Sequence, residues 1–285
     1  MANAILAYGN QIDGATLTGG SWVSTLPLAN LQDRTLGRVA RSTGVLTTQT
    51  QFDIDFGGTR LLRVFALVAH NFSIAARYRF RFATDPAFST VVLDTGWTDV
   101  WPVVYPLGTV PWGSPSWWTG KYSAEEIEGY TASCTYIFAS ATNARYVRVE
   151  IDDTTNEDGF VEIGRVFAGN GFQPARNMTY GASIGWENRT EVQEALSGAE
   201  YFNERRAFRV VRFGLAAMTE DEAMANASEL IRAIGVSREV FFVWDPDDTT
   251  HALRRQFLGR LRTLNPIENA GPDRWKAPFE VKELL

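Results

Sequence analysis

Gly181-Ala182-Ser183-Ile184-Gly185 comes nearest to catalysis of any stretch in this chain. It fits G-x-S-x-G, the pattern of a nucleophile elbow that holds a reactive serine on a strained strand-to-helix turn. An acid, Asp245 or Asp247, and a base, His251, follow in the order hydrolases use. The elbow needs a buried strand before the serine and a helix after it. Residues 175–180 are polar and residues 186–194 carry no helix-start signal, so no catalytic serine is expected.

Two loops are rich enough in acid to invite a cation. Asp245, Asp247, Asp248 and His251 lie around a proline turn, but calcium takes about six to eight oxygens and this loop offers too few. Residues 152–159 read Asp-Asp-Thr-Thr-Asn-Glu-Asp-Gly. With Gly159 at the sixth position of a calcium loop, Thr154 and Arg165 fall where the two key carboxylates belong, so a hairpin turn at Asp158-Gly159 is expected instead. The two histidines, His70 and His251, are too few for a histidine cluster, and no phosphate-cradling glycine loop is present. The expectation is a chain with no catalytic site, no metal site and no cofactor.

Tryptophan is the more informative residue. Five of the nine, Trp97, Trp101, Trp112, Trp117 and Trp118, fall within residues 94–122, a run broken by prolines and glycines and lacking any period. Flat amphipathic rings suit sugar faces or a protein partner. The alternative is that they cap one end of a sandwich and bury one another. Trp112, Trp117 and Trp118 lie where proline and glycine are densest and are the candidate binding residues.

The elements around this loop read as short strands. Phe52, Ile54 and Phe56 alternate with polar residues, and residues 61–69 are almost continuously apolar. Tyr78, Phe80 and Phe82 oppose Arg77, Arg79 and Arg81; residues 145–151 and 160–167 follow the same logic. No helix intervenes, the pattern of a β-sandwich or jelly roll over residues 1–170. Residues 169–177 look like a boundary. Beyond them, over 171–285, the reading is a strand, a helix and three further strands, an α+β module with one helix on a sheet. That helix starts at a capping box, Thr219 with Glu222, and carries Met224, Ala227, Ile231 and Ile234 at helical spacing, supported by Leu230 and ended by Gly235.

Bulk properties exclude whole classes. The 285 residues carry a net charge of −6, with no basic surplus for a nucleic-acid backbone. One cysteine, Cys134, precludes an internal disulfide and is read as a small buried hydrophobe. No apolar run is long enough to span a membrane, and the first residues do not resemble a signal peptide, so folding in a cytoplasm is expected.

Leu28-Ala29-Asn30-Leu31-Gln32-Asp33, Gly37-Arg38-Val39-Ala40-Arg41-Ser42 and Phe52-Asp53-Ile54-Asp55-Phe56-Gly57 resemble the opening of discoidin-type, galactose-binding-like domains. Residues 144–149 and 158–166 are similar to the closing strands of that fold, in the version found in tail proteins of long-tailed bacteriophages. The layout of the second half resembles the hub modules of distal tail and baseplate proteins. The resemblance implies a virion structural protein assembled in the host cytoplasm, with a homo-oligomeric ring of hub modules under the tail tube, bound to tube and tail-tip neighbours, and sandwiches projecting outward. The alternative it carries is a carbohydrate-binding module contacting the bacterial surface. It assigns no residue set as a sugar site.

Overall fold

The computed structural model describes residues 2–285. The chain divides into two compact units, one of Met1–Gln173 with Phe241–Phe257, the other of Pro174–Val240 with Leu258–Leu285. A continuous split at residue 170 therefore omits a return: residues 241–257 pack with the first unit.

The first unit is an antiparallel β structure built on long, bent strands. The two short strands expected at residues 51–56 and 61–69 are one strand, Phe52–His70, whose register with Ser133–Asp152 breaks between Asp55 and Arg60 and between Leu62 and Val64. Gly57, at φ +72°, sits in the first break, where Asp55 accepts its backbone N–H at 2.8 Å. An added residue bends a strand and strengthens its twist. Before the break the strand pairs with Thr16–Thr18, after it with Glu162–Phe172. Arg77–Ala83 extends the sheet on the far side of Ser133–Asp152, and Val91–Asp94 lies outside it.

Alternation decides which face is buried. Tyr78, Phe80 and Phe82 face a core that holds Phe52, Phe65, Phe138 and Val147. The arginines between them form cross-strand pairs on the other face, Arg79 with Asp94 and Arg81 with Glu150 at 2.9 Å. The resemblance segment at 158–166 contains Arg165, which is fully buried, donates to the Leu31 carbonyl at 3.2 Å and pairs with Asp13. Cys134 is buried and burial pushes its thiol pKa up, in keeping with a packing role. Short helical turns at Gln11–Gly14, Leu28–Gln32, Thr47–Thr50 and Ala124–Ile127, absent from the sequence reading, connect these strands.

Residues 152–159 are not a hairpin. The strands they join, Ser133–Asp152 and Glu162–Phe172, both pair with Phe52–His70 and lie on its opposite sides, so the loop crosses over the strand between them. It is pinned by buried Asp153, which accepts from the Ser73 N–H at 3.0 Å, from the Ser73 hydroxyl and from Asn156 at 2.9 Å.

In the second unit Phe208–Met218 lies between Ser183–Glu187 and Arg274–Glu283. Ala277, Phe279 and Val281 are buried, Trp275 on the same face is half-buried, and Phe279 stacks on Phe213 at 5.5 Å. The helix spans residues 220–234, and Glu222–Ser228 within it is wound as a π-helix. The buried stripe is Ala223, Ala227, Leu230 and Ile234, and Met224 is exposed, against its expected place on the core face. The capping box is half made: Thr219 Oγ1 accepts the Glu222 N–H at 3.2 Å, while the Glu222 carboxylate accepts from Ala175 N–H at 2.7 Å. A hairpin of Glu191–Glu194 and Glu200–Asn203, invisible to the sequence reading, makes a separate two-stranded sheet.

Candidate functional site

The expected surface loop, residues 94–122, has two halves with different physics. Its inner half belongs to the core. Trp101 is buried and donates its indole N–H to the Phe72 carbonyl at 3.3 Å. Val100 N–H reaches the Ala76 carbonyl at 3.0 Å, and the N–H groups of Val104 and Tyr105 share the Gly120 carbonyl at 2.8 and 2.9 Å. Gly120 adopts φ +63°, and a Cβ there would lie 2.9 Å from the Tyr105 carbonyl oxygen, so only glycine closes this neck. Lys121 Nζ pairs with Asp99 at 2.8 Å, and the Tyr122 and Tyr105 hydroxyls donate to the Thr250 carbonyl and the Glu126 carboxylate.

The outer half is a chain of tight turns held out from this neck. Trp117 N–H bonds the Ser114 carbonyl at 3.0 Å and Gly120 N–H bonds the Ser116 carbonyl at 2.8 Å. Trp112 is 76% exposed and Trp118 82%, while Trp117 is half-buried rather than exposed as expected. The three rings nonetheless come together. Trp112 meets Trp117 edge-to-face at 5.3 Å and Trp118 at 5.8 Å. Edge-to-face contact is a favoured arrangement for aromatic pairs. Trp112 therefore touches both other rings, and Trp112 and Trp118 remain largely exposed to solvent. Trp117 and Trp118 also line a cavity of about 130 Å³ with Val103, Tyr105 and Leu107.

A second concavity, of about 250 Å³, lies in the same unit between the loop's inner half and residues 246–256. Tyr78, Trp101 and Tyr122 supply its aromatic wall, with Asp99, Thr135 and Asp248 among the polar groups. Asp99 already meets Lys121, and Asp248 meets Arg255 at 2.8 Å and the His251 N–H at 3.0 Å. Thr135 Oγ1 is buried without a hydrogen-bond partner. The sequence pattern pointed to none of this, because the wall is assembled from segments more than a hundred residues apart.

The other candidates disperse. Ser183 opens the exposed strand Ser183–Glu187 and pairs across to Arg212, so no elbow and no following helix form. His251 precedes a single helical turn, Ala252–Arg255, in the other unit. Asp245 is buried and accepts from the Ala2 and Asp247 N–H groups, each at 3.1 Å. His70 is buried against Phe72, the ring centroids 4.0 Å apart, and its Nδ1 accepts the Phe72 N–H at 3.3 Å.

No family model and no curated protein matches the chain. Among solved structures it is similar to the family 32 carbohydrate-binding module of C. perfringens NanJ in complex with galactose, with 13% identity and a TM-score of 0.38 over 58% of this chain and 99% of that one. It is similar to a mutant lectin binding domain of Lectinolysin complexed with Lewis b, at 13% identity and TM-score 0.38 over 58% and 98% of the two chains. A Streptococcus pneumoniae fucose binding module matches at 12% identity and TM-score 0.36, over 56% of this chain and 94% of the module. Likeness this distant leaves any functional reading to the chain's own residues.

Proposed function

We propose that this chain is a non-catalytic glycan-binding protein whose contact surface is the outer half of the aromatic loop. The observation that carries the reading is the Trp112–Trp117–Trp118 cluster: rings in edge-to-face contact on a loop whose neck is bonded into the core. A sugar ring stacks its C–H face on an indole, and a platform rigid before binding spends little entropy on ordering side chains. The reading is of the same kind as the galactose, Lewis b and fucose in the descriptions of the similar modules, and it rests on the rings.

A binding titration against a panel of bacterial surface glycans tests it, with Trp112→Ala, Trp118→Ala and the double variant beside the parent chain. Each single variant weakens binding roughly tenfold, about 1–2 kcal/mol for a lost stacking face. The double variant abolishes it with unchanged circular dichroism. Binding unmoved by the double variant overturns the reading.

A structural role at a phage tail tip, with the second unit forming a ring under the tube and the first unit outward, is the second reading. What favours it is an exposed two-stranded hairpin in the second unit, an element of the kind proteins use to grip a neighbour. Detection of the chain in purified virions by mass spectrometry tests that context, and its absence from them rejects it.

A further inference from the structure

The hairpin Glu191–Glu194 with Glu200–Asn203 is exposed along both strands and pairs with no other strand among the described residues. A lone two-stranded hairpin is marginal in water unless a face packs on something. This one has a face to pack. Val192 lies opposite Phe202, and Glu194 directly opposite Glu200 on that same side, from the register of the pairs. Like charges directly across a ladder are destabilising. An exposed apolar pair beside two juxtaposed carboxylates calls for a partner surface that is part apolar and part cationic.

The same unit carries such a surface. A cleft of about 320 Å³ is lined by Arg189, Arg205, Arg206, Arg260 and Lys282, with the buried ring of Phe208 beneath them and Leu284 and Leu285 as its apolar side. Lys282 Nζ sits 4.0 Å over that ring and Arg189 lies 5.8 Å from it. The cleft's carboxylate, Glu283, is spent on buried Arg209, which donates to it from Nε at 2.9 Å and from its backbone N–H at 2.8 Å. Arg205 reaches Glu191 only at 3.8 Å, and Arg260 uses a guanidinium N–H on the Val236 carbonyl at 3.0 Å. The Lys282 ammonium is held below its usual pKa range, first by burial and then by the nearby charges of Arg189, Arg260 and Arg262.

We infer that the hairpin of one copy docks in the basic cleft of a second copy, setting Glu194 and Glu200 against Arg189, Arg260 and Lys282, and Val192 and Phe202 against Leu284 and Leu285 at the cleft's apolar side. The occupant is a second copy because one chain carries both halves of the match, an acidic-apolar arm and a cationic-apolar cleft. Since the two patches differ, the contact is heterologous: each copy gives an arm and receives one, and the series closes into a ring or continues as a filament. This deepens the assembly reading by naming its surfaces and is independent of glycan binding.

Sedimentation velocity over a concentration series tests it on the whole chain, with two charge-reversed variants, Glu194→Arg/Glu200→Arg in the arm and Arg189→Glu/Lys282→Glu in the cleft. The parent chain self-associates, and the association weakens roughly tenfold or more as salt approaches about 1 M, where the Debye length is near 3 Å. Each variant alone is monomeric. Mixed, they assemble again, because the reversed arm fits the reversed cleft and the remaining pair is native; misfolded variants would not be rescued this way. A parent chain that stays monomeric at every concentration overturns the inference. Assembly that survives both reversals also overturns it while leaving the assembly reading intact. A monomeric parent whose melting point rises with inorganic phosphate, an effect lost in the cleft variant, makes the cleft an anion site instead.

Discussion

His70 and Arg209 mark the two ways a polar side chain survives burial in this molecule. His70 gives up its charge: burial pushes its pKa from 6.5 down to about 3. The folded chain therefore refuses a proton that the unfolded chain accepts. Stability from this group is whole above about pH 6.5 and drains as pH falls toward about 3. Replacing His70 with Phe should flatten the loss of stability between about pH 7 and pH 5, above the carboxylate range, in urea titrations. An unchanged slope would show that His70 takes up a proton in the native state. Arg209 is instead paired with Glu283, both side chains almost fully buried. Arg209→Met strands a carboxylate and should cost about 3–5 kcal/mol, while Arg209→Met with Glu283→Leu should recover most of that loss. Denaturant midpoints of the single and double variants check it.

At the scale of elements, the aromatic loop depends on its neck more than on its tip. Gly120→Ala puts a Cβ 2.9 Å from the Tyr105 carbonyl at a positive φ. The strain, about 1–3 kcal/mol, should loosen residues 103–120 without unfolding the sandwich. Hydrogen exchange at Val104 and Tyr105 should rise and glycan affinity fall, although no tryptophan has changed; unaltered exchange would contradict the neck's role. The sequence reveals strand faces well, because alternation at Tyr78, Phe80 and Phe82 or at Ala277, Phe279 and Val281 reports burial directly. It locates the helix but neither its π winding nor its buried face. The 3.6 period fits Met224 with Ala227 and Ile234 as well as it fits Ala223 with them, and Ala223 is the residue that is buried. The sequence misses the exposed hairpin for a different reason: with neither face buried, residues 191–203 carry no alternation to read.

The whole molecule is organised by returns of the chain that no local pattern encodes. Phe241–Phe257 leaves the second unit to pack with the first, where Phe241 meets Phe167 at 5.7 Å and Thr250 accepts from Tyr122. The excursion of residues 241–257 was not legible in the sequence, because an apolar strand reads alike whichever core receives it. The candidate site follows the same rule. Trp112, Trp117 and Trp118 stood out by residue type, and the structure gathers them; which rings would be exposed depended on Trp101 and Gly120 fixing the loop's base.

Those rings form the proposed glycan surface. Its most direct test is intrinsic tryptophan fluorescence and calorimetry of the intact chain titrated with bacterial surface polysaccharides, alongside Trp112→Ala/Trp118→Ala. A saturable fluorescence change with matching heat is expected in the parent chain and neither in the double variant, whose melting temperature stays within a few degrees of the parent's. Equal heats from both proteins, or no binding by the parent across the panel, would contradict that role.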